Sequence, residues 1–270
     1  MTLKQDTRAS VLARRKAIPD AERKEKSLLI CERFLAEIDL WLASCEHSEA
    51  SAKQLRIAAY EPMSSEVDVH PLLFAAYERG WEVFLPCMAK DTSDASARMV
   101  FFPIEQNHLT KQRPAFLDHP ARPYLLGDLH AQGWREADEQ LFDIAVIPLV
   151  AFDSGLMRLG YGGGNYDRFL PKLRDDCFVA GVAFEEQRVD RVPTEPHDLP
   201  LPRIFSAEKT RTPNGALVFA FLPLLRLAPR IGVYFFMPML DLCRIFTATT
   251  MSTAPSTREI QGLPVKPATM

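Results

Sequence analysis

Arg158, Asp167 and the glycines at 160, 162, 163 and 164 are the residues of this chain whose types and spacing could do chemistry. Four of the 12 glycines fall within this short run, inside Gly155-Leu-Met-Arg158-Leu159-Gly160-Tyr161-Gly162-Gly163-Gly164-Asn165-Tyr166-Asp167-Arg168. Glycines let a backbone approach a ligand closely, and amides at a helix start point at negative charge. Arg158 and Arg168 add full positive charges at the two ends of the loop. Together these features make an anion site. A merely flexible surface loop rarely carries two arginines, two tyrosines and an aspartate so tightly.

The elements that must position this loop are readable on either side. Asp143-Ile-Ala-Val-Ile-Pro-Leu-Val150 is an apolar run that reads as a buried strand, and 166–174 carries a helical pattern. Two familiar glycine motifs do not fit. A phosphate-binding Walker loop needs Lys-Ser/Thr after its last glycine, where Asn165-Tyr166 stands, and the 160–164 spacing is wrong for a dinucleotide fingerprint.

The segment from Asp143 to Leu170 resembles the 5-formyltetrahydrofolate cyclo-ligase family, also called 5,10-methenyltetrahydrofolate synthetase. That family carries P-x-x-x-F-D and then R-L-G-x-G-x-G-Y-Y-D; Pro148 to Asp153 and Arg158 to Asp167 match, except that Asn165 replaces the first tyrosine. Lys4 and Arg8 match the family's opening K-x-x-x-R element, with Arg14 or Arg15 at its later arginine. On the residues alone, Lys4, Arg8 and Arg15 recur at four and seven positions and share one helical face, which also fits a solvated basic face. Tyr60-Glu61-Pro-Met-Ser-Ser-Glu66-Val-Asp resembles the family's substrate loop, and Val182-Ala-Phe184-Glu-Glu-Gln187 with Val192-Pro to Asp198 matches V-A-F-x-x-Q…V-P-x-x-x-x-D. Two departures accompany these matches. Pro86-Cys87-Met88 replaces a P-K-V run, and no I-x-E-P segment is found between Arg122 and Glu139.

The resemblance implies a single three-layer α/β/α domain with a mostly parallel, Rossmann-like sheet, an architecture also found in sugar-phosphate isomerases and CoA-transferases. It implies ATP as co-substrate, magnesium, and a reduced folate as substrate. ATP is expected on Lys4, Arg8, Arg14 and the run Arg158, Leu159, Gly160, Tyr161, Gly162, Gly163, Gly164, Asn165 and Tyr166. The folate is expected on Glu61, Glu66, Tyr161, Gly162, Gly163, Gly164 and Asn165, since a carboxylate can accept hydrogen bonds from a pterin's amino and N–H groups. Asp167 and Asp198 are expected to hold the metal, and Arg158 and Asp167 to be catalytic. His197 adjoins Asp198, but adjacent loop residues seldom face one another, so no proton relay is read there. Two other functions remain to be weighed: a folate- or nucleotide-binding homologue without turnover, and an isomerase or transferase needing no ATP.

The rest of the chain is consistent with an enzyme of small molecules. Its 270 residues, 47% hydrophobic and 25% charged, suit a soluble globular protein, and a net charge of -3 argues against a general nucleic-acid binder. Five scattered cysteines without C-x-x-C suggest reduced thiols, and six histidines form no H-E-x-x-H. The polar N-terminus lacks an apolar signal core, so a cytoplasmic protein free of membranes is expected; separately, a monomer is expected.

Helices are expected over 3–16, from Pro19-Asp20 through Leu42, and over 68–79 with Gly80 as its stop; strands over 56–60, 81–86, 98–104 and 178–184. Pro103 suggests that the strand at 98–104 lies at a sheet edge. Residues 48–53 read as a connection, and 105–140 has no clear assignment. The domain is expected to span 1–208. Residues 209–270 read as an extension, apolar over 215–246 and disordered over 247–270; they fit a membrane-associating piece or, preferably, a product of a shifted reading frame. No uncharged run there reaches the ~20 residues a bilayer helix needs.

Overall fold

The computed structural model describes residues 2–44, 54–63, 65–195 and 198–212. The expectations for 48–53, for His197 and for the extension beyond 212 lie outside the described residues.

Two helices open the chain. α1 (Leu3–Ala17) starts with a reciprocal capping box between Thr2 and Gln5, and α2 (Asp20–Ser44) follows Pro19. Then β1 (Arg56–Ala58), α3 (His70–Glu78) and β2 (Glu82–Lys90) form the expected parallel β-α-β unit. Gly80, at φ 73°, ends α3 in the left-handed region that favours glycine. β3 (Arg98–Ile104) is antiparallel to β2 and stands at the sheet edge, with Pro103 exposed there as expected. β2 runs four residues beyond the predicted Pro86, because Cys87 and Ala89 are buried between β3 and β4 (Tyr124–Leu125).

The segment 105–140 holds α4 (Gln106–Thr110), α5 (Ala115–Asp118) and α6 (Leu126–Ala131). These helices are too short for a periodic signal. An aromatic cluster fixes them instead: the Trp134 ring centroid lies 6.0 Å from Phe102 and 5.1 Å from Phe116.

β5 (Ile144–Pro148) is followed by a small hairpin, β6 (Ala151–Phe152) and β7 (Arg158–Leu159). α7 (Asn165–Phe169) follows and is shorter than the predicted helix, because Pro171 lacks an N–H and the chain tightens into a 3-10 turn over Leu170–Lys172. β8 (Phe178–Val182), β9 (Ile204–Phe205) and β10 (Thr210–Arg211) complete the sheet.

Among the described residues the main sheet runs β10-β9-β8-β5-β1-β2-β3, with β4 on β2. Its β8, β5, β1 and β2 neighbours are all parallel, and only the β2–β3 and β9–β10 pairs are antiparallel. The mostly parallel α/β architecture expected from the sequence is therefore present. Successive residues along β5 point to opposite faces, so Ile144 and Val146 join one core cluster and Ala145 and Ile147 another. Ile30, Phe34 and Ile38 of α2 and Leu72, Leu73 and Ala76 of α3 cover the first face. Phe142, Phe169, Leu173 and Leu201 cover the second. Gly181 permits close packing there: a Cβ at this position would sit 2.7 Å from Leu201 and 2.9 Å from Leu149.

The sheet continues past residue 208. Thr210 is buried, and Arg211 pairs with Glu185 at 2.5 Å across from β9. Among the described residues, no helix is long and apolar enough to cross a membrane.

Candidate active site

The glycine loop is presented by a braced hairpin. Asp153 is buried in its turn; Oδ1 accepts from the amides of Gly155 (2.9 Å) and Met157 (3.1 Å), and Oδ2 from that of Val192 (2.9 Å). These bonds, with burial of its side chain, hold Leu156 at φ 62°, a conformation that costs a branched residue energy. The hairpin then delivers Arg158, itself buried, whose Nη2 donates to Asp167 Oδ1 at 2.5 Å. That ion pair clasps β7 to α7 and closes the base of the loop.

Two further arginines shape the loop from outside. Arg8 of α1 donates from Nε to the Gly160 carbonyl at 2.7 Å, and a Cβ on Gly162 would meet its guanidinium at 3.4 Å. Arg168 donates to the Gly163 carbonyl and to Asn165 Oδ1, both at 2.8 Å. Gly162 (φ 102°) and Gly164 (φ 64°) hold backbone conformations that other residues avoid.

A cleft of ≈300 Å³ lies over this loop. Lys4, Arg8 and Arg158 line it together with Asp167, Glu195 and Asp198. Lys4 Nζ reaches Asp198 Oδ2 at 2.9 Å and Glu195 Oε1 at 3.3 Å. Partial burial disfavours its ammonium, but the bonds and charges of Asp198 and Glu195 outweigh that and raise its pKa. Three cations and three carboxylates thus face the same space, a setting suited to polyanions and to a hard cation with oxygen ligands.

A second cleft, ≈390 Å³, opens on the other side of the loop. Its walls are mostly apolar, including Met63, Cys87, Met88 and Met99, but two carboxylates enter it, Glu61 and Glu66. Glu66 is 5% exposed; Oε2 accepts the Met63 amide at 2.9 Å, and the Tyr161 hydroxyl also faces the carboxylate. Burial pushes its pKa upward, opposed by that amide, by the positive charge of Arg15 and by the Tyr161 hydroxyl. Glu61 is compensated instead: Arg113 donates to Oε1, and His70 Nε2 lies 3.5 Å from Oε2. His70 also meets Asp68 through Nδ1 at 2.7 Å, and the hydrogen bonds to Asp68 and Glu61 push its pKa up to about 9.

Pro148, Tyr161, Asn165 and Tyr166 line both clefts, so a single partition separates them. Asn165 is held on both sides, accepting from Arg168 and donating from Nδ2 to Met88 Sδ at 3.4 Å. Cys87, in the place of the family's lysine, is a buried thiol whose pKa burial pushes up to about 12, so it offers neither charge nor nucleophile at neutral pH.

The structure gathers Lys4, Arg8, Arg158, Leu159, Gly160, Gly162, Gly163, Gly164, Asp167 and Asp198 at the first cleft, and Glu61 and Glu66 at the second. Tyr161, Asn165 and Tyr166 serve both. Arg14, expected on ATP, stands off the cleft: it is exposed and donates to the Arg188 carbonyl at 3.1 Å. The reason is helical phase. At 3.6 residues per turn, a residue seven positions after Arg8 returns to its face, whereas one six positions on falls about a third of a turn short. Arg15 therefore points inward, where its Nη2 donates to the Tyr161 hydroxyl. Asp167 and Asp198 share the cleft, although no group of three metal-ligating side chains occurs among the described residues. Sequence reasoning missed Glu195, Met88, Met99, His70 and Arg113. Only Glu195 carried a signal, three residues before Asp198 in the matched V-P segment.

Residues 1–207 match the model of the 5-formyltetrahydrofolate cyclo-ligase family. Among curated relatives, the 5-formyltetrahydrofolate cyclo-ligase of Mycolicibacterium smegmatis is 24% identical over 76% of this chain and 94% of its own length. That of Haemophilus influenzae is 30% identical over 54% of this chain and 72% of its own, and that of Escherichia coli K12 27% over 57% and 78%. Two solved structures share the fold. The Aquifex aeolicus 5,10-methenyltetrahydrofolate synthetase has a TM-score of 0.53 at 24% identity, covering 78% of this chain and 93% of its own. The Mycoplasma pneumoniae 5,10-methenyltetrahydrofolate synthetase has a TM-score of 0.53 at 21% identity, covering 76% and 99%.

Proposed function

The chain belongs to the 5-formyltetrahydrofolate cyclo-ligase family, and we propose that it closes 5-formyltetrahydrofolate to 5,10-methenyltetrahydrofolate at the expense of ATP. One observation carries this reading: a cleft lined by cations and a largely apolar cleft with carboxylates share the partition Pro148, Tyr161, Asn165 and Tyr166. A phosphoryl donor in the first and a ring amide in the second would meet at Tyr161.

The chemistry needs such a meeting. The formyl oxygen is an amide oxygen and a poor leaving group. Its attack on the γ-phosphorus of ATP releases ADP and leaves the oxygen phosphorylated. The second folate nitrogen then attacks the formyl carbon and loses its proton, and inorganic phosphate departs with the oxygen. Phosphoryl transfer of this kind relies on positioning and charge stabilisation, so it requires no activated serine or cysteine.

Lys4, Arg8 and Arg158 would neutralise phosphate charge, and the amides of the 160–164 loop would cradle it. Glu66 would accept from the ring, since its buried carboxylate enters the apolar cleft. Asp167 and Asp198 fit magnesium, which takes oxygen ligands from one or two carboxylates plus phosphates and would offset charge on the transferred group. The catalytic unit would be residues 1–208 continued through β10, because Arg211 pairs with Glu185 inside the same fold.

The test is the absorbance of methenyltetrahydrofolate, followed with purified protein, 5-formyltetrahydrofolate and magnesium, with and without ATP. Product formed only with ATP is expected. Binding of both ligands without product would mean a non-turnover homologue, and product without ATP would sink the mechanism.

A further inference from the structure

α1 buries two side chains, Val11 and Arg15. Val11 packs on the hairpin among Val150, Ala151 and Leu159, as an apolar residue should. Arg15 is only 2% exposed, among the largest fully buried side chains of the protein. A guanidinium taken out of water pays a desolvation penalty, and a well-packed apolar residue of similar volume often stabilises a fold as well or better. Stability alone gives no reason for a cation here.

The contacts supply one. Arg15 Nε donates to Ser65 Oγ at 3.2 Å, and Nη2 donates to the Tyr161 hydroxyl, with the guanidinium carbon 5.7 Å from that ring's centroid. Ser65 directly precedes Glu66, so one buried side chain ties the carboxylate loop of one cleft to the glycine loop of the other. Tyr161 needs such a tether. It is 47% exposed and flanked by Gly160 and Gly162, the latter at φ 102°, so its local backbone does little to orient the ring. The Tyr161 hydroxyl also faces the Glu66 carboxylate, so guanidinium, phenol and carboxylate form one cluster between the clefts. Arg15 lines neither cleft itself, so it acts through Tyr161.

We infer that Arg15 is a positioning residue that fixes Tyr161, and with it the partition between the clefts, against the Ser65–Glu66 loop. This rests on the proposed reading of the clefts and deepens it. The guanidinium sets where the reacting ends of folate and nucleotide meet.

The experiment compares the full chain with Arg15→Met, Arg15→Lys and Tyr161→Phe, measuring Tm, kcat and KM for 5-formyltetrahydrofolate. Arg15→Met is expected to keep or raise Tm, because a buried charge is removed, while kcat/KM falls about tenfold or more. Arg15→Lys should recover part of the loss through its remaining donor. Arg15→Met combined with Tyr161→Phe should be no worse than the poorer single variant, since both remove one contact. If Arg15→Met does not fold, Ser65→Ala removes the other anchor of the guanidinium and should raise KM about threefold. Parent activity with folded Arg15 variants, or with Ser65→Ala where they do not fold, within about twofold of parent kcat/KM would overturn the inference alone. A parent that forms no product with ATP would overturn the cyclo-ligase reading, and this inference with it.

Discussion

In the cleft beside the glycine loop, Lys4 is held by Asp198 and Glu195 and Arg158 by Asp167, whereas in the neighbouring cleft Glu66 is a buried carboxylate held by the Met63 amide and faced by the Tyr161 hydroxyl. In the first cleft Lys4 and Arg158 are held by carboxylates, and Arg8 by the Gly160 carbonyl. A polyanion entering with a cation would exchange the carboxylate partners of Lys4 and Arg158. The second cleft sets the Glu66 carboxylate in an apolar wall, where it meets the Met63 amide and the Tyr161 hydroxyl and can accept a further donor from a ligand. The difference teaches that the first site is sensitive to loss of any member of its charge frame, and the second to loss of one specific acceptor.

Breaking the frame should have the largest effect. Arg158→Ala removes a cation from the cleft and leaves Asp167 without its clasp. ATP-dependent product formation should fall by about 100- to 1,000-fold, with a folded circular-dichroism spectrum. A merely structural arginine would instead give an unfolded protein or a nearly normal rate. Asp167→Ala should behave alike, because the two groups act as one unit.

Next in size is Glu66→Gln, which keeps shape and the Met63 amide contact but removes the charge. KM for 5-formyltetrahydrofolate should rise about tenfold while KM for ATP stays near that of the parent. An equal rise in both constants would mean that the two clefts do not divide their ligands as described.

Glu61 provides a control within the same cleft, since Arg113 and His70 compensate it. His70 carries a pKa raised from 6.5 to about 9 by its bonds to Asp68 and Glu61. A raised histidine pKa favours the folded state fully below 6.5, and that contribution is lost as pH rises through 9. Thermal unfolding should therefore show Tm falling between neutral pH and pH ~10, by an amount worth about 1 kcal/mol after discounting solvent screening. His70→Gln should flatten the difference. Parallel curves for parent and variant would mean that the imidazolium is not anchored to these carboxylates.

How far the sequence reached follows from how local each signal is. The glycine loop was legible because its strand, glycines and arginines are contiguous, and even the edge position of β3 followed from Pro103 alone. Arg14 was the expected ATP ligand although both Arg14 and Arg15 match the later arginine; the phase of α1 separates them, placing Arg15 on Tyr161 and Arg14 on Arg188. The segment 105–140 stayed dark because its short helices are fixed by Trp134 packing on Phe102 and Phe116, contacts that leave no period in the sequence. Arg113 was invisible for that reason, and its pairing with Glu61 spans 52 positions.

The smallest effect expected lies in the partition, where Asn165 stands in place of the family's tyrosine. Asn165 accepts from Arg168 and donates to Met88 Sδ, so it is a fixed polar divider between a charged and an apolar cleft. A tyrosine there would lose both contacts, but its ring would bury more apolar surface against a bound pterin. Stacking of this kind is worth about 1 kcal/mol beyond area burial, enough to outweigh one exposed hydrogen bond and one weak sulfur contact. Asn165→Tyr should therefore lower KM for 5-formyltetrahydrofolate by about threefold and leave KM for ATP nearly unchanged. A raised KM would show that the Asn165–Met88 contact, beside the uncharged Cys87, already forms the better wall for this chain, and that the two departures from the family work as a pair.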